Sequence, residues 1–536
     1  MQVRHIVRFA ILAAVVVTGL AMAQSRLVYN SVNDLGTWQP NGACGLDQSE
    51  VIYSQFEGLV RPAPDGAIVP GVAESWEISD DGLTWTFHLR DDARWSDGES
   101  VTAFDFEHGW IHAITPGLES CATGNYNQVV GAMDYLAGNA SREDVGITVH
   151  DERTISITTI SPVPFLLEII LHQSWMPTRE DVVDGDLTGT WILESDKWIG
   201  NGPFRLINWQ AQDRFVFEKN EYYWNADQVH LDELVYRIIP DANTSLAAFR
   251  SGQVDVIKTM PASEIAGLLA AGTATSTPLV RTMWYSINLG EATASDAVKD
   301  HLWDVRVRQA MQLAINRTLL TDVVLRAGDV PADGYIPCVI RNVDGDASWC
   351  DDRDAYFPVE GDIERAQALL AEAGYPGGEG LPEFEILYNI DARAEATALT
   401  LQDMWEENLG IRTRLLVQET QVFAGNRGDG IFEITRGGLS GMGDPSGLLG
   451  AFRCGQALNM SIWCDEEYDR LFALQAETLD PEERFGILYE MERMLVEGGV
   501  VIPLYTEAVV MALQPNVSGV YTTGRGAFLF DQARVD

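Results

Sequence analysis

Two histidines with metal-binding spacing are the first residues in the chain whose types could support chemistry. His108 and His112 are four residues apart beside Glu107, and this spacing places two imidazoles on one face of a helix, as zinc sites often require. The order differs from HExxH, so two packing or surface histidines are the alternative interpretation. The sequence contains no GxSxG motif, no glycine-rich phosphate loop and no nucleophile beside a recognisable base. We therefore expect no catalytic residues, no bound metal and no cofactor, with a secreted zinc hydrolase as the remote alternative.

Six cysteines are the other candidates for chemistry. They are Cys44, Cys121, Cys338, Cys350, Cys454 and Cys464. No CxxC pair occurs and no histidine stands at zinc-finger spacing from a cysteine, so disulfides are favoured over a metal site. Short loops are the easiest to close, which predicts the pairs Cys338 with Cys350 and Cys454 with Cys464. The two remaining cysteines would then pair with each other.

The composition is that of an acidic globular protein. The chain has 536 residues, of which 36 are Lys or Arg and 79 are Asp or Glu, and its formal net charge is −43. A hydrophobic content of 46% excludes a disordered chain, and the length suffices for about three structural units. So few basic residues argue against a surface that neutralises phosphates, so we expect no nucleic-acid partner. The acidic coat should mildly favour the approach of cationic solutes over anionic ones.

The first 23 residues are typical of a secretory signal peptide. Arg4 and Arg8 precede an apolar stretch over 9–20, and Ala21 and Ala23 place small residues at the two cleavage positions. We expect cleavage after Ala23 and release into the periplasm. No cysteine follows the cleavage position, so a lipid anchor is not expected, and no later segment has the length and apolarity of a membrane span.

Strand and helix patterns alternate along the whole chain, which predicts a mixed α/β protein with several lobes. Thr102 with Asp105 resembles a capping box that opens a helix. No internal repeat interrupts the alternation. The clearest predicted elements are helices over 466–477 and 481–497 and strands over 83–89, 500–504 and 508–513.

A long segment resembles a known family. Residues 70–106 read PGVAESWEISDDGLTWTFHLRDDARWSDGESVTAFDF, which is similar to the signature of the family 5 bacterial extracellular solute-binding proteins. Further similar segments are FEGLV (56–60), NEYYWN (220–225), AFRSGQVDV (248–256), DVRVRQAMQLAINR (304–317) and LLAEAGYPGG (369–378). The resemblance thus covers nearly the whole chain after the signal peptide.

This resemblance implies the fold of a type II, cluster C periplasmic binding protein: a two-lobed α/β clamshell with an extra domain inserted in the first lobe. By this likeness, the first lobe takes residues 24–55, 177–280 and 505–536, the inserted domain takes 56–176, and the second lobe takes 281–504. Hinge strands are implied near 281–288 and 500–508. Rotation of the lobes would enclose a ligand between them.

The resemblance also implies a function without catalysis. Such a receptor, expected to be a monomer, captures an oligopeptide and delivers it to the membrane permease complex of an ABC importer. Relatives hold an extended peptide by main-chain pairing, as an added strand. The site residues implied by the likeness are Cys44, Gly45 and Leu46 in the first lobe and Trp284, Tyr285, Arg427, Arg436, Gly438, Leu439, Ser440 and Asp444 in the second.

Two groups of these residues have alternative interpretations. The aromatic pair, Trp284 and Tyr285, could stack on the ligand or belong to the interior between the lobes. The guanidinium groups of Arg427 and Arg436 could bind a ligand carboxylate or form ordinary ion pairs with acids of the chain.

One departure from the family pattern concerns the ligand's amino terminus. Peptide-binding relatives carry an Asp in the loop after the second ligand-flanking strand, where Gly441 or Met442 stands in this chain. Asp444 or another acid could substitute, and replacing Gly441 with Asp should then improve binding of free-amine peptides. Oligosaccharides, opine-like compounds and amino-blocked peptides are therefore alternative ligands. A receptor that presents its ligand to a membrane signalling protein is an alternative function.

Overall fold

The computed structural model describes residues 25–536 except 32, 34, 44, 119, 121, 122, 344, 346 and 442. The strands are β1 (Arg26–Ser31), β2 (Val60–Pro62), β3 (Ile68–Pro70), β4 (Ala73–Ile78), β5 (Thr84–Leu89), β6 (Ile147–Asp151), β7 (Thr154–Thr158), β8 (Phe204–Gln210), β9 (Arg214–Lys219), β10 (Glu233–Ile238), β11 (Val256–Ile257), β12 (Ala274–Ile287), β13 (Val330–Pro331), β14 (Phe384–Asn389), β15 (Thr413–Gln418), β16 (Ile434–Ser440), β17 (Val501–Leu513), β18 (Val517–Ser518), β19 (Tyr521–Thr522), β20 (Phe528–Leu529) and β21 (Arg534–Val535).

The α-helices alternate with these strands. They are α1 (Leu46–Gln55), α2 (Ala103–Ala113), α3 (Ala132–Leu136), α4 (Leu166–Ile170), α5 (Glu180–Val183), α6 (Ala242–Arg250), α7 (Ala262–Ala270), α8 (Val305–Leu313), α9 (Ile363–Glu372), α10 (Ala392–Leu409), α11 (Thr420–Gly428), α12 (Pro445–Leu449), α13 (Glu466–Glu477) and α14 (Pro481–Glu497). The predictions for α13 and α14 are confirmed to the residue. The capping box that opens α2 is confirmed as well, since the Thr102 N–H donates to Asp105 Oδ2 at 2.8 Å.

Eleven strands of the described chain form one mixed sheet in the order β15, β14, β16, β12, β17, β11, β1, β10, β9 and β8, with β13 added to β17. The antiparallel strands β12 and β17 run through its middle. Beside β11, the start of β12 pairs with the end of β17. Farther along, β12 lies between β16 and β17 and pairs with both. The register between β12 and β17 shifts between Pro278 and Thr282. These two strands therefore connect the two halves of the sheet.

The prediction of separate strands over 500–504 and 508–513 is wrong, because β17 is continuous from Val501 to Leu513. Tyr505 and Thr506 stay in the ladder, pairing with β12 on one side and β13 on the other. Residues 505–507, which separate the two predicted strands in the sequence, therefore lie inside one strand that has neighbours on both edges.

Buried side chains separate the molecule into two lobes. The first-lobe core contains residues between Leu27 and Ala274, joined by Val510, Phe528 and others near the C-terminus. The second-lobe core lies between Val280 and Tyr505. The buried side chains of 56–176 are continuous with the remainder of the first-lobe core, so the limits of an inserted domain stay a prediction.

Two predicted disulfides are confirmed: Cys338 is bonded to Cys350 and Cys454 to Cys464. Cys44 and Cys121 lie outside the described residues, as does the predicted signal peptide. Over the part of the chain that is described, the helices are too short or too polar to cross a lipid bilayer.

Candidate ligand-binding cleft

A cavity of about 410 Å³ lies between the two lobes, a volume in the usual range of small-molecule sites. Its first-lobe wall includes Leu46, Glu168 and Arg525. Its second-lobe wall includes Arg341 and Ser440. Of the sequence-predicted site residues, Leu46 and Ser440 line this cavity.

The first-lobe wall begins at the start of α1. The resemblance implies a ligand-flanking strand over residues 44–46, but Leu46 is already the first helical residue, so that prediction is wrong for this position. Gly45 has extended backbone and is the N-cap, since its N–H donates to Gln48 Oε1 at 2.8 Å and its carbonyl accepts from Ser49 N. Cys44 lies outside the described residues.

A buried ion pair holds α1 in place behind this wall. Lys258 Nζ lies 2.5 Å from Asp47 Oδ1 and 2.7 Å from Glu50 Oε1. The hydroxyl of Tyr29 donates to the other Glu50 oxygen at 2.9 Å. Burial raises the pKa of Glu50 to about 7, although the charge of Lys258 opposes that shift. The sequence does offer a signal here, because Lys258 is one of only four lysines.

The second-lobe wall ends in strand β16. One edge of β16 pairs with β12 over its whole length, whereas the other edge meets β14 only at Ile434 and Thr435. From Arg436 to Ser440 the second edge therefore has no strand neighbour among the described residues. Exposed Ser440, the last residue of this edge, reaches the cavity.

The glycines of β16 make room for the neighbouring strand. A Cβ on Gly437 would overlap the indole ring of Trp284, and a Cβ on Gly438 would lie 2.7 Å from Met283 Sδ. Packing against the Trp284 ring thus requires glycine at 437, whereas at Gly438 the flexible Met283 side chain would have to shift. Leu439, between Gly438 and Ser440, is partly buried against the second-lobe core.

The aromatic residues Trp284 and Tyr285 lie inside the second lobe and do not line the cavity between the lobes. The ring of Trp284 packs edge-on against Tyr335, with centroids 5.3 Å apart. The Tyr285 hydroxyl is buried without a hydrogen-bond partner in the described part of the chain, and burial raises its pKa. Of the two interpretations of this aromatic pair, the structure supports the interior one, because both side chains are buried in the cores of the second lobe.

Arg427 and Arg436 lie close to each other beside the free part of β16. Arg436 Nη1 donates to Asn389 Oδ1 at 2.6 Å, and the Arg427 guanidinium lies 4.9 Å from the centre of the Phe423 ring. Burial, and secondarily the charge of Arg436, lower the pKa of Arg427. Neither arginine has an acidic partner among the described residues, which removes the support for the ordinary ion pairs considered above.

Asp444 cannot replace the missing ammonium ligand, because both of its oxygens are engaged. Arg484 donates to Oδ1 and Oδ2 at 2.8 Å each, and Ser446 also donates to Oδ1 as α12 begins. A Cβ on Gly441 would lie 2.8 Å from Leu448 and 3.0 Å from Val280. The expected gain from Gly441→Asp therefore loses its structural basis, and Met442 lies outside the described residues.

Another acid, missed by sequence reasoning, meets this loop from the opposite lobe. Glu168 on α4 accepts a hydrogen bond from the Gly443 N–H at 2.9 Å. Burial raises the pKa of Glu168 to about 7, and the nearby charge of Asp444 adds to the shift. The residues are 275 positions apart, so only the approach of the lobes reveals the contact.

The zinc alternative gains no support from the histidines. The rings of His108 and His112 are stacked with centroids 5.9 Å apart, and His108 Nδ1 lies 2.9 Å from the Thr178 carbonyl oxygen. Burial lowers the pKa of His112 to about 4. In the described part of the chain, the possible three-ligand group is Asp333 with Cys338 and Cys350, whose sulfurs are bonded to each other.

Comparison with known proteins agrees with this geometry. Residues 67–459 match the model of the bacterial extracellular solute-binding proteins, family 5 Middle. The chain is 28% identical over 515 residues to the periplasmic oligopeptide-binding protein OppA of Escherichia coli (strain K12), covering 95% of this chain and 92% of that protein.

Two solved structures superpose on this chain to different extents. The unliganded open form of the periplasmic murein tripeptide binding protein MppA has a TM-score of 0.83 and 25% identity, with 96% of this chain and 98% of that chain covered. Haemophilus influenzae OppA in complex with RPPGFSPFR has a TM-score of 0.68 and 27% identity, with 96% and 99% covered. The structure thus superposes better on that unliganded open form than on the peptide complex. The chain belongs to the family 5 bacterial extracellular solute-binding proteins, a family of solute-binding proteins and not of enzymes, and it has their two-lobed type II fold.

Proposed function

We propose that this chain is a periplasmic receptor of an ABC importer, which captures an oligopeptide between its lobes and delivers it to the membrane permease complex. Export with cleavage after Ala23, absence of a lipid anchor and a monomeric state are parts of this proposal. The relatives support it: one is a periplasmic oligopeptide-binding protein, and another was solved with a nine-residue peptide.

The observation that carries the proposal is the free edge of β16 beside the cavity. Along Gly437–Ser440, the alternate main-chain N–H and C=O groups that face away from β12 have no second strand among the described residues, and such an edge can pair with an extended peptide. At roughly 3.3 Å per residue, these four residues span about 13 Å, which suits three or four ligand residues. Backbone pairing of this kind would give affinity without reading side chains.

Arg427 and Arg436 extend this edge with positive charge. In a chain with 79 acids, two neighbouring guanidiniums without an acidic partner among the described residues suit an anion supplied from outside. The carboxylate at the end of a peptide paired with β16 would be such an anion, because a guanidinium binds it through two parallel hydrogen bonds.

Closure would follow from the two strands shared by the lobes. Rotation at the register shift of β12 and at the facing part of β17 would move the walls together without separating either core. A ligand held by both walls favours that arrangement, and the permease would then recognise it.

Isothermal titration calorimetry with alanine peptides of three to five residues, paired with small-angle scattering, tests this proposal. We expect saturable binding and a smaller radius of gyration on ligand addition. Absence of binding by every peptide would contradict peptide capture.

An amino-blocked peptide is the second candidate ligand, because Gly441 replaces the expected acid and Asp444 is engaged by Arg484. N-acetylated versions of the same peptides distinguish the two. Tighter binding of the acetylated series would favour the amino-blocked ligand, and tighter binding of the free amines would favour ordinary peptides.

A further inference from the structure

The cavity wall has more basic than acidic residues, whereas the whole chain has more acidic than basic residues. Of the described residues that line the cavity, three are arginines, Arg281, Arg341 and Arg525, and two are acids, Asp65 and Glu168. Over the whole sequence, acids outnumber Lys and Arg by 79 to 36. The His172 side chain adds no charge, since burial lowers its pKa to about 3.

Arg525 has no hydrogen bond or ion pair with any described residue. Arg525 lines the cavity together with His172 and Tyr53. Burial is the larger influence on the pKa of both residues; the charge of Arg525 adds to the lowering of the His172 pKa and opposes the raising of the Tyr53 pKa. Arg525 thus presents an uncompensated charge to the cavity from the first lobe.

The other two arginines differ in their partners. Arg341 donates to the main-chain oxygen of Asp65 at 2.7 Å, a neutral acceptor. Arg281 Nε lies 2.9 Å from Glu507. Arg393 also lies 3.5 Å from Glu507, but it has Asp329 as its closer acid, so the charge of Arg281 is compensated.

The two acids on the wall form no ion pair with these arginines. Asp65 Oδ1 accepts from the Ala67 N–H at 3.1 Å, and Glu168 accepts from the Gly443 N–H at 2.9 Å. The guanidiniums of Arg341 and Arg525 therefore have no carboxylate partner among the described residues and remain open to a ligand.

The arginines face the cavity from different sides. Arg525 belongs to the first lobe, Arg341 belongs to the second, and Arg281 lies where β12 passes between them. Bringing the lobes together moves like charges closer in a space with less water, which opposes closure. An anionic group between them reverses that effect, because it is attracted to both walls at once.

We propose that this receptor selects peptides with an acidic side chain, whose carboxylate binds between Arg341 and Arg525 with Arg281 nearby. The inference rests on the proposed peptide function and names the ligand class. Guanidinium forks suit a carboxylate through paired hydrogen bonds. This selection is opposite to the preference for cationic solutes that the net charge of the whole chain predicts. Salt screens the acidic residues spread over the surface, whereas arginines in direct contact with the ligand are screened much less.

The test uses tetra-alanine hosts with Glu, Gln or Lys at each position in turn and calorimetry on the full mature protein. We expect the best Glu peptide to bind at least about tenfold more tightly than its Gln counterpart, the effect of one charge-assisted hydrogen bond. Arg525→Gln and Arg341→Gln should each reduce this preference, so that the Glu peptide loses at least several-fold more affinity than the Gln peptide.

Arg534→Gln is the matched control, since Arg534 is exposed on β21 and does not line the cavity. It should keep the Glu preference. Equal affinities of Glu and Gln peptides for the wild type, or equal weakening of both by Arg525→Gln, would overturn the inference and leave peptide capture intact. Binding of none of the peptides would overturn peptide capture, and the acidic-peptide inference with it.

Discussion

Replacing Lys258 with Met would test how the first-lobe wall of the cleft is held. The Lys258 side chain is 10% exposed and contacts Asp47, which is 13% exposed, and Glu50, which is fully buried. Methionine keeps an unbranched side chain but removes the positive charge. The change therefore leaves two neighbouring carboxylates at the start of α1 without their cation.

Removing one partner of a buried ion pair typically costs about 3–5 kcal/mol. Here Glu50 can limit the loss by taking up a proton, because its pKa is already raised to about 7 with Lys258 in place. We therefore expect the free energy of unfolding to fall by about 3 kcal/mol at pH 8. The pKa of Glu50 is higher in the folded than in the unfolded state, so the folded state binds the proton more tightly. Stability of the variant should accordingly rise as the pH falls through 7 towards 5.

Urea unfolding at pH 8 and pH 5.5, followed by tryptophan fluorescence, measures both effects. Lys197→Met is the control, because Lys197 is more exposed and lies 3.8 Å from Glu194; it should change the unfolding free energy by less than about 0.5 kcal/mol. Adding Glu50→Gln to Lys258→Met should recover part of the loss by removing the uncompensated charge. A loss below about 1 kcal/mol at pH 8, or an equal loss at both pH values, would refute this reasoning.

Three further changes test other parts of the cleft. Burial at the contact with Gly443 raises the pKa of Glu168 to about 7, so the contact favours the protonated carboxyl and should weaken as pH rises from 5.5 to 8. Small-angle scattering should show this change in the wild type and not in Glu168→Gln, and identical curves would contradict it. Gly437→Ala should lower the free energy of unfolding by about 1–3 kcal/mol, because the new Cβ overlaps Trp284, whereas Gly425→Ala, with open space around its Cβ, should not destabilise; calorimetric melting compares them. Arg436→Ala should weaken binding of peptides with a free carboxyl terminus by about tenfold and leave amidated peptides unaffected, and unchanged calorimetric affinity would remove Arg436 from the site.

Local patterns in the sequence were sufficient for several elements. The apolar period predicted the bounds of α13 and α14. Thr102 and Asp105 predicted the capping box of α2, because its hydrogen bonds join residues only three positions apart. Both confirmed disulfides close short loops, over 12 and 10 residues. The unbroken course of β17 was not visible locally, because its ladder depends on β12 and β13.

The charges of the cleft depend on contacts that only the folded chain creates. Glu168 meets Gly443 across 275 positions, and Asp444 is engaged by Arg484 across 40. Trp284 and Tyr285 are buried in two different core clusters of the second lobe, which a strand pattern alone does not reveal. Composition correctly describes the chain as strongly acidic, yet the cavity collects Arg281, Arg341 and Arg525. Net charge is a sum over all residues, whereas the field at a ligand is set by the few side chains that two approaching lobes turn toward it.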